Sequence, residues 1–326
     1  MHWIQKSAKI ISVAFLCLCT SVMLKLDPSM TKIDPTLIPE VANPSVSTRP
    51  PMVLVSYADG AEVFYQNQAA LAASAADKGF DTIYNFRRNA LDAKFSTKNK
   101  HILDLPRGAG YWVWKPYVIL KAMEASPEGS LILYADSGVV FKKSLHKLVA
   151  HFKDYDRILV GYGTPIPLEM QLKKESYSAF SFPITQNILD AQALWGFFLG
   201  LRNTHANRQF VKMWLKACEN VDAVSDSPLD PSHQNPRFDA HLHDQALLSV
   251  LAAHDPENTL IIRRNIFRND YGVYNFHRHP HVRFLSPFMA SAGFPLWMND
   301  YIWNNPLIET FRRVLGWLSQ TSEWGS

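Results

Sequence analysis

A lone carboxylate closes an apolar run in Leu131-Ile132-Leu133-Tyr134-Ala135-Asp136-Ser137-Gly138-Val139-Val140. Pro127 and Gly129 precede the run, and Lys142 and Lys143 follow it. Such a bounded apolar stretch predicts a strand buried on both faces of a parallel sheet. Ligands of open α/β sheets bind beyond the carboxyl ends of such strands, where a carboxylate can hold a metal. The plainer reading is that Asp136 caps a turn, with Ser137-Gly138 as the turn residues.

A second candidate lies just upstream, in Pro106-Arg107-Gly108-Ala109-Gly110-Tyr111-Trp112-Val113-Trp114-Lys115-Pro116. Its glycines allow backbone to approach a ligand closely. Arg107 can meet phosphate oxygens as a fork and Lys115 as a point charge. Tyr111 and Trp114 can stack on a base or sugar ring, or plug the core beneath a loop. Downstream, His241-Leu242-His243-Asp244-Gln245 opens an Ala/Leu-rich helix, where a polar cluster faces a cleft or Asp244 caps the helix. Asn275-Phe276-His277-Arg278-His279-Pro280 sets two imidazoles beside a guanidinium. Neutral imidazole ligates Mn²⁺-like metals when a carboxylate completes the site. His243 and Asp244 also suit a metal-dependent phosphoester hydrolase, although His-Glu-x-x-His, Gly-x-Ser-x-Gly and Walker A patterns are all missing from the sequence.

The elements that must position these residues follow from periodicity and punctuation. Strands are expected at Met52–Tyr57, Phe80–Phe86, Arg157–Gly161, Leu194–Leu201 and Leu260–Arg263. Helices are expected at Gln66–Lys78, with Gly79 as its terminator, and at Lys115–Ala125, Ser144–Phe152, Thr204–Glu219 and Asp239–Ala253. The strand-helix-strand opening predicts a parallel sheet with right-handed crossovers.

The chain's 326 residues, 47% apolar and 19% charged, describe a globular protein with a sizeable core. A net charge of +4 without a basic block gives no footprint for nucleic acid. Beyond the N-terminal run that holds Cys17 and Cys19, Cys218 is the remaining cysteine, so that part cannot form an intrachain disulfide. Lys6 and Lys9 precede an uncharged apolar stretch, Ile10 to Leu24, with no small-x-small cleavage pattern after it. Residues 1–26 therefore read as an uncleaved signal anchor with the remainder translocated; a cleaved signal peptide, giving a secreted chain, is the alternative. The proline-rich residues 27–51 read as a semi-rigid stem. In the tail, 306–326, apolar residues from Leu307 to Leu318 recur at helical spacing opposite Arg312 and Arg313. They predict an amphipathic helix packed on the domain or lying at a membrane surface.

Taken in order, these pieces resemble nucleotide-sugar glycosyltransferases of the GT-A fold. Tyr134-Ala135-Asp136-Ser137-Gly138 is similar to their Tyr-x-Asp-x-Asp strand end, in the variant with glycine for the second aspartate. The Gly-Tyr-Trp-x-Trp-Lys-Pro segment resembles its counterpart in bacterial and related members. Leu194-Trp195-Gly196-Phe197-Phe198-Leu199-Gly200 resembles the acceptor-side segment, and Asp244-Gln245 the pair opening a later helix. The resemblance implies an α/β, Rossmann-like domain over 52–305, with a mostly parallel central sheet flanked by helices. It implies transfer of a sugar from a nucleotide-diphosphate donor to a hydroxyl of a glycan or glycoconjugate. Donor contacts would come from Arg107, Tyr111, Trp114, Lys115, Asp136, Ser137, Gly138 and Arg278, and acceptor contacts from Trp195, Gly196 and Gln245. Asp244, with His243 beside it, would serve as base in an inverting reaction or position the donor in a retaining one. A divalent metal, Mn²⁺ or Mg²⁺, would sit on Asp136 with His277 or His279. Gly138 leaves open two alternatives: a metal-free site neutralised by cations, and a silent relative that binds glycan or nucleotide without turnover. The implied location is a membrane, single-pass and Golgi-like in a eukaryote, with the domain on the translocated side.

Overall fold

A computed structural model describes residues 49–275. The anchor, most of the stem, Arg278, His277, His279 and the C-terminal helix therefore lie outside the described residues. Eight strands are described: β1 (Met52–Ala58), β2 (Thr82–Arg87), β3 (Leu131–Ala135), β4 (Val139–Phe141), β5 (Arg157–Gly161), β6 (Leu194–Arg202), β7 (Thr259–Arg263) and β8 (Val273–Asn275). Helices of eight residues or more are α1 (Glu62–Ala75), α2 (Trp114–Ala125), α3 (His205–Cys218), α4 (His243–His254) and α5 (Arg264–Tyr271).

Six strands form one sheet in the order β2-β1-β3-β6-β5-β7. β1 pairs in parallel with β2 and β3, and β5 in parallel with β7, whereas β6 runs antiparallel to both β3 and β5. The sheet is thus mostly parallel, as the sequence predicts, with one reversed strand between its two halves. Along β1, Val53, Val55 and Tyr57 enter one apolar cluster while Met52 and Leu54 enter another. Along β3, Ile132 and Tyr134 join the first, and Leu131, Leu133 and Ala135 the second. A core on each face explains why these strands show no polar alternation.

α2, α3 and α4 cover the first face. Pro116 falls in the first turn of α2, where a missing N–H breaks no helical bond. α3 begins one residue later than predicted, because Thr204 is its N-cap, the side chain accepting from Asn207 N at 3.2 Å. α4 starts at His243 instead of Asp239. His243 has φ +52°, a left-handed conformation that no right-handed helix can pass through, and the chain before it is held instead by Asp239 and Ala240 N–H donating to Met170 O and Leu242 N–H to Gln171 O. α1 runs earlier than predicted, and within it buried Gln68 donates to Ser56 Oγ and Phe86 O and fixes the helix on β1 and β2. The Ser144–Phe152 prediction resolves into one α-turn, His146–Val149, and a 3₁₀ turn, Ala150–Lys153. Opposite the large sheet's edge, β4 and β8 form an antiparallel ribbon in which Val139 pairs with Asn275.

Candidate functional site

The reversal of β6 assembles the site. Ala135, the last residue of β3, pairs with Phe198, and Asp136 N donates to Phe197 O at 2.8 Å. The start of β6, with Trp195 and Gly196, therefore reaches the same sheet edge as the end of β3. α4 brings Asp244 and Gln245 to this edge. Gly196 N donates to Gln245 Oε1 at 3.3 Å, and Leu194 N to Ser249 Oγ at 2.9 Å.

Lys115 is the hub. Its side chain is 3% exposed, and its ammonium lies 2.9 Å from Asp244 Oδ2 and 3.5 Å from Asp136 Oδ1. It donates to Gly196 O at 3.0 Å. A cation so deeply buried is stable only when paired and hydrogen-bonded, and two carboxylates and a carbonyl meet that requirement. The Tyr134 hydroxyl donates to Asp136 Oδ1 at 2.7 Å. Burial first, and then the neighbouring Asp136 carboxylate, raise the Tyr134 phenol well above its ordinary value, so it stays protonated and donates. Gly196 has no room for a side chain: a Cβ there would meet Gln245 Cβ at 3.0 Å, with Lys115 Nζ at 3.5 Å. Ser137 and Gly138 make the turn into β4, closed by Val139 N donating to Asp136 O at 2.9 Å.

Lys115, Asp136, Gly196, Asp244 and Gln245 thus come together, and other expected donor residues go elsewhere. Trp114 stacks on Tyr57 with centroids 4.0 Å apart and donates to Gly108 O at 2.9 Å, which makes it core. Arg107 Nη1 donates to both oxygens of Asp226, 3.0 Å from each, and Tyr111 Oη donates to Asp226 Oδ2 at 2.6 Å. The glycines expected to open the backbone to a ligand are used up by a turn. Gly108, Ala109, Gly110, Tyr111 and Trp112 all have φ between +47° and +98°, one turn of left-handed helix. A Cβ on Gly110 would lie 2.7 Å from Leu103 Cα, so this backbone presses on protein. For Ala109, Tyr111 and Trp112 the conformation costs about 1–2 kcal/mol each.

Trp195 stacks on Tyr162 with centroids 5.1 Å apart, and the Arg264 guanidinium lies 4.1 Å from the Trp195 ring centre. Gln245 Nε2 donates to Tyr162 Oη at 3.0 Å, linking this aromatic wall to the hub. Sequence reasoning missed Tyr162 and Asp226 as members of these groups. Tyr162 carries no signal, and Asp226 sits in Ser225-Asp226-Ser227-Pro228, which reads as a turn.

His243 is buried, with Nδ1 donating to Val224 O at 2.9 Å. Burial pushes its imidazole down to about 4 and that of His241 down to about 3. Unfolded histidine takes a proton near pH 6.5. Unfolding therefore binds protons below that pH, and stability falls as pH drops from about 6.5 through about 4. At pH 5 each ring accounts for roughly 2 kcal/mol of the loss. The melting temperature is expected to fall on acidification from about pH 7 to about pH 5, with a smaller fall in His241→Asn. Equal falls in both proteins would assign the acid sensitivity to other groups.

Among the described residues, no group of three or more His, Cys, Asp or Glu side chains converges as a metal centre requires. Of the expected ligands, Asp136 is the one within the described residues; its Oδ1 is held by Tyr134 and Lys115, and no hydrogen bond from the described residues reaches Oδ2.

No family model matches the chain, and no curated protein matches it. Among solved structures, it is similar to mouse xyloside xylosyltransferase 1 in its apo form, at 10% identity and a TM-score of 0.41, over 70% of this chain and 98% of that one. It is also similar to a glycosyltransferase involved in glycosylating the major capsid of PBCV-1, at 9% identity and a TM-score of 0.39, over 72% and 96% of the two chains. A third is the galactosyltransferase LgtC in complex with donor and acceptor sugar analogues, at 14% identity and a TM-score of 0.40, over 74% and 95%. Each is a likeness in the course of the chain. The residues able to do chemistry are those that side-chain geometry assembles.

Proposed function

We propose that the chain is a glycosyltransferase that moves a sugar from a nucleotide-diphosphate donor to a hydroxyl of a glycan or glycoconjugate. The observation that carries this reading is the Lys115 ammonium, fixed between Asp136 and Asp244 where the end of β3 meets the start of β6. Departure of a diphosphate builds negative charge on its oxygens, and a preorganised cation in a water-poor site stabilises that charge. Lys115 is such a cation, and the carboxylates keep it charged and aimed. Asp244 Oδ2 is already engaged by Lys115, which favours a positioning role for Asp244 over that of base. The Tyr162–Trp195 pair, with the Arg264 guanidinium over the Trp195 ring, forms the aromatic and cationic wall on the acceptor side of this reading.

A divalent ion, Mn²⁺ or Mg²⁺, belongs to this reading only if the donor's diphosphate and His277 or His279 complete a set with Asp136. It would supply further charge neutralisation on the leaving group. The pairing of Asn275 with Val139, three residues past Asp136, supports a contribution from the chain that follows β8.

The test is a thermal-shift panel of nucleotide diphosphates and nucleotide sugars on the full chain, with and without Mn²⁺. A ligand that binds only the folded state raises the melting temperature by mass action. One nucleotide is expected to shift it, and release of the free nucleoside diphosphate with a hydroxyl acceptor to follow. Binding without turnover would replace transfer by a silent binding role, release to water alone would favour hydrolysis, and no shift with any nucleotide would sink the donor assignment.

Anchorage in a membrane through Ile10 to Leu24, with the domain on the translocated side, completes the reading. Among the described residues no helix is long and apolar enough to cross a membrane, so an anchor would have to come from residues outside them. Full-length chain is expected to stay with membranes until detergent is added. Release by a carbonate wash alone would overturn the anchor.

A further inference from the structure

Two backbone segments in left-handed conformations meet beside the proposed site. One is the turn Gly108–Trp112, which runs into α2 and sets down Lys115. The other is His243, with φ +52°, which runs into α4 and sets down Asp244. Their rings pack together: Trp112 stacks on His243 at 5.5 Å, and Tyr111 meets the same imidazole edge-on at 5.1 Å. Neither conformation is one that L-residues adopt without support. Something outside both segments must hold them.

We propose that Asp226 is a positioning residue, whose carboxylate staples the turn carrying Lys115 against the turn carrying Asp244. This rests on the reading of Lys115 and Asp244 as the centre of the site. Asp226 accepts from Arg107 on both oxygens at 3.0 Å and from Tyr111 Oη at 2.6 Å, which grips the left-handed turn at two points. Its Oδ1 lies 3.7 Å from His243 Nε2. With Nδ1 donating to Val224 O, the neutral ring has no proton on Nε2. Asp226 therefore reaches His243 through Tyr111, which it holds against the ring.

An exposed carboxylate usually contributes little, because ordering it costs as much as it returns. The Asp226 side chain is 49% exposed, but the backbone beneath it is fixed by buried donors. Ser176 Oγ and His241 Nε2 both bond to Ala223 O, at 2.8 and 2.9 Å, and His243 Nδ1 bonds to Val224 O. The ammonium of Lys173, a fully buried side chain, donates to Ser225 O at 2.8 Å and to Pro228 O at 2.9 Å. Four carbonyls around Asp226 are thus held from inside, and the carboxylate projects from a rigid base. Most of the ordering cost falls on these buried contacts, so the grip on Arg107 and Tyr111 is preorganised.

The same arrangement provides the test. Lys115 and Lys173 are both buried amines; one depends on the staple and the other lies beneath it. Full-length wild type, Asp226→Asn, Asp226→Ala and Tyr111→Phe are acetylated with an N-hydroxysuccinimide ester, and each lysine's rate is read by mass spectrometry. Acetylation of Lys115 is expected to rise about fivefold in Asp226→Ala, the size of an exposed ion pair's contribution, and less in Asp226→Asn, which keeps one acceptor oxygen, and in Tyr111→Phe. Lys173 should stay at its wild-type rate in Tyr111→Phe, which keeps the Asp226 charge beside it, and rise less than Lys115 in the two Asp226 variants. An unchanged Lys115 in every variant would overturn the proposal, and so would a parallel rise at Lys173, which would make Asp226 a general support of the fold. Labelling needs no sugar nucleotide, so an empty nucleotide panel and a failed staple are separate results.

Discussion

Lys115→Met is expected to lower both the stability and the turnover of this protein sharply. The methionine fills the space of the lysine stem and leaves the carboxylates of Asp244 and Asp136 without their common cation. Removing one partner of a buried ion pair costs about 3–5 kcal/mol, more than replacing the whole group by apolar residues would. The melting temperature should fall by roughly 10 °C or more. If the charge on a leaving diphosphate is met at this position, turnover should fall on the order of a thousandfold, as when an oxyanion-stabilising donor is lost. Lys115→Arg separates the two effects. It restores the charge, but its planar fork cannot set one compact cation between two carboxylates and a carbonyl, so stability should recover more than turnover does. A Lys115→Met protein that melts like wild type would show that Asp136 and Asp244 are satisfied by other means, and the hub would lose its role.

Asp136→Ala is expected to separate chemistry from folding more cleanly. Asp136 stands after the last residue of β3, with its side chain 22% exposed, so its loss opens no core cavity. The cost is local: the buried Tyr134 hydroxyl loses its acceptor, at about 1–3 kcal/mol. Lys115 keeps Asp244 and the Gly196 carbonyl. The fold should survive while transfer falls below detection. Asp136→Asn should keep the Tyr134 bond, recover most of the stability and remain inactive. Measured turnover near wild type in either variant, at a normal melting temperature, would remove Asp136 from the reaction and leave it as a strand-end acceptor for a buried phenol.

Much of this arrangement is legible in the residues, and the limits are physical. β1 and β3 can be read because both of their faces are buried, which leaves unbroken apolar runs. Lys115, Asp136 and Asp244 can each be picked out as candidates by their local company. Their convergence cannot, because it depends on the direction of β6. A strand buried on both faces reads the same in either direction, so Leu194–Leu201 is recognisable as a strand but not as the reversed one. The start of α4 fails for another reason: residues 239–242 have helical composition, but the left-handed conformation of His243 breaks the turn that would join them to the helix. The glycines of the Gly108–Trp112 turn announce backbone freedom, yet nothing in the sequence says that it serves a left-handed turn pressed on Leu103 and not a ligand. Asp226 is invisible for the simplest reason. A Ser-Asp-Ser-Pro run reads as a turn, and its partners Arg107 and Tyr111 stand more than a hundred positions away.

The reversed strand also divides the chain into parts with different freedom to change. β5 ends at Gly161 and β6 begins at Leu194, and these two residues pair with each other at the sheet edge that holds Asp136. The connection of residues 162–193 therefore leaves the sheet and re-enters it at one place. It begins with Tyr162 and ends one residue before Leu194, beside the aromatic wall. Its exposed stretches, such as residues 163–165, can change without shifting any strand register, whereas Met170, Gln171, Lys173 and Ser176 hold the start of α4 and the backbone beneath Asp226. The segment from Arg107 to Lys115 has no such latitude, since one added residue would rotate every side chain of a left-handed turn away from its partner. The chain thus joins a connection that can vary at its exposed stretches to a spacing that must be kept residue for residue.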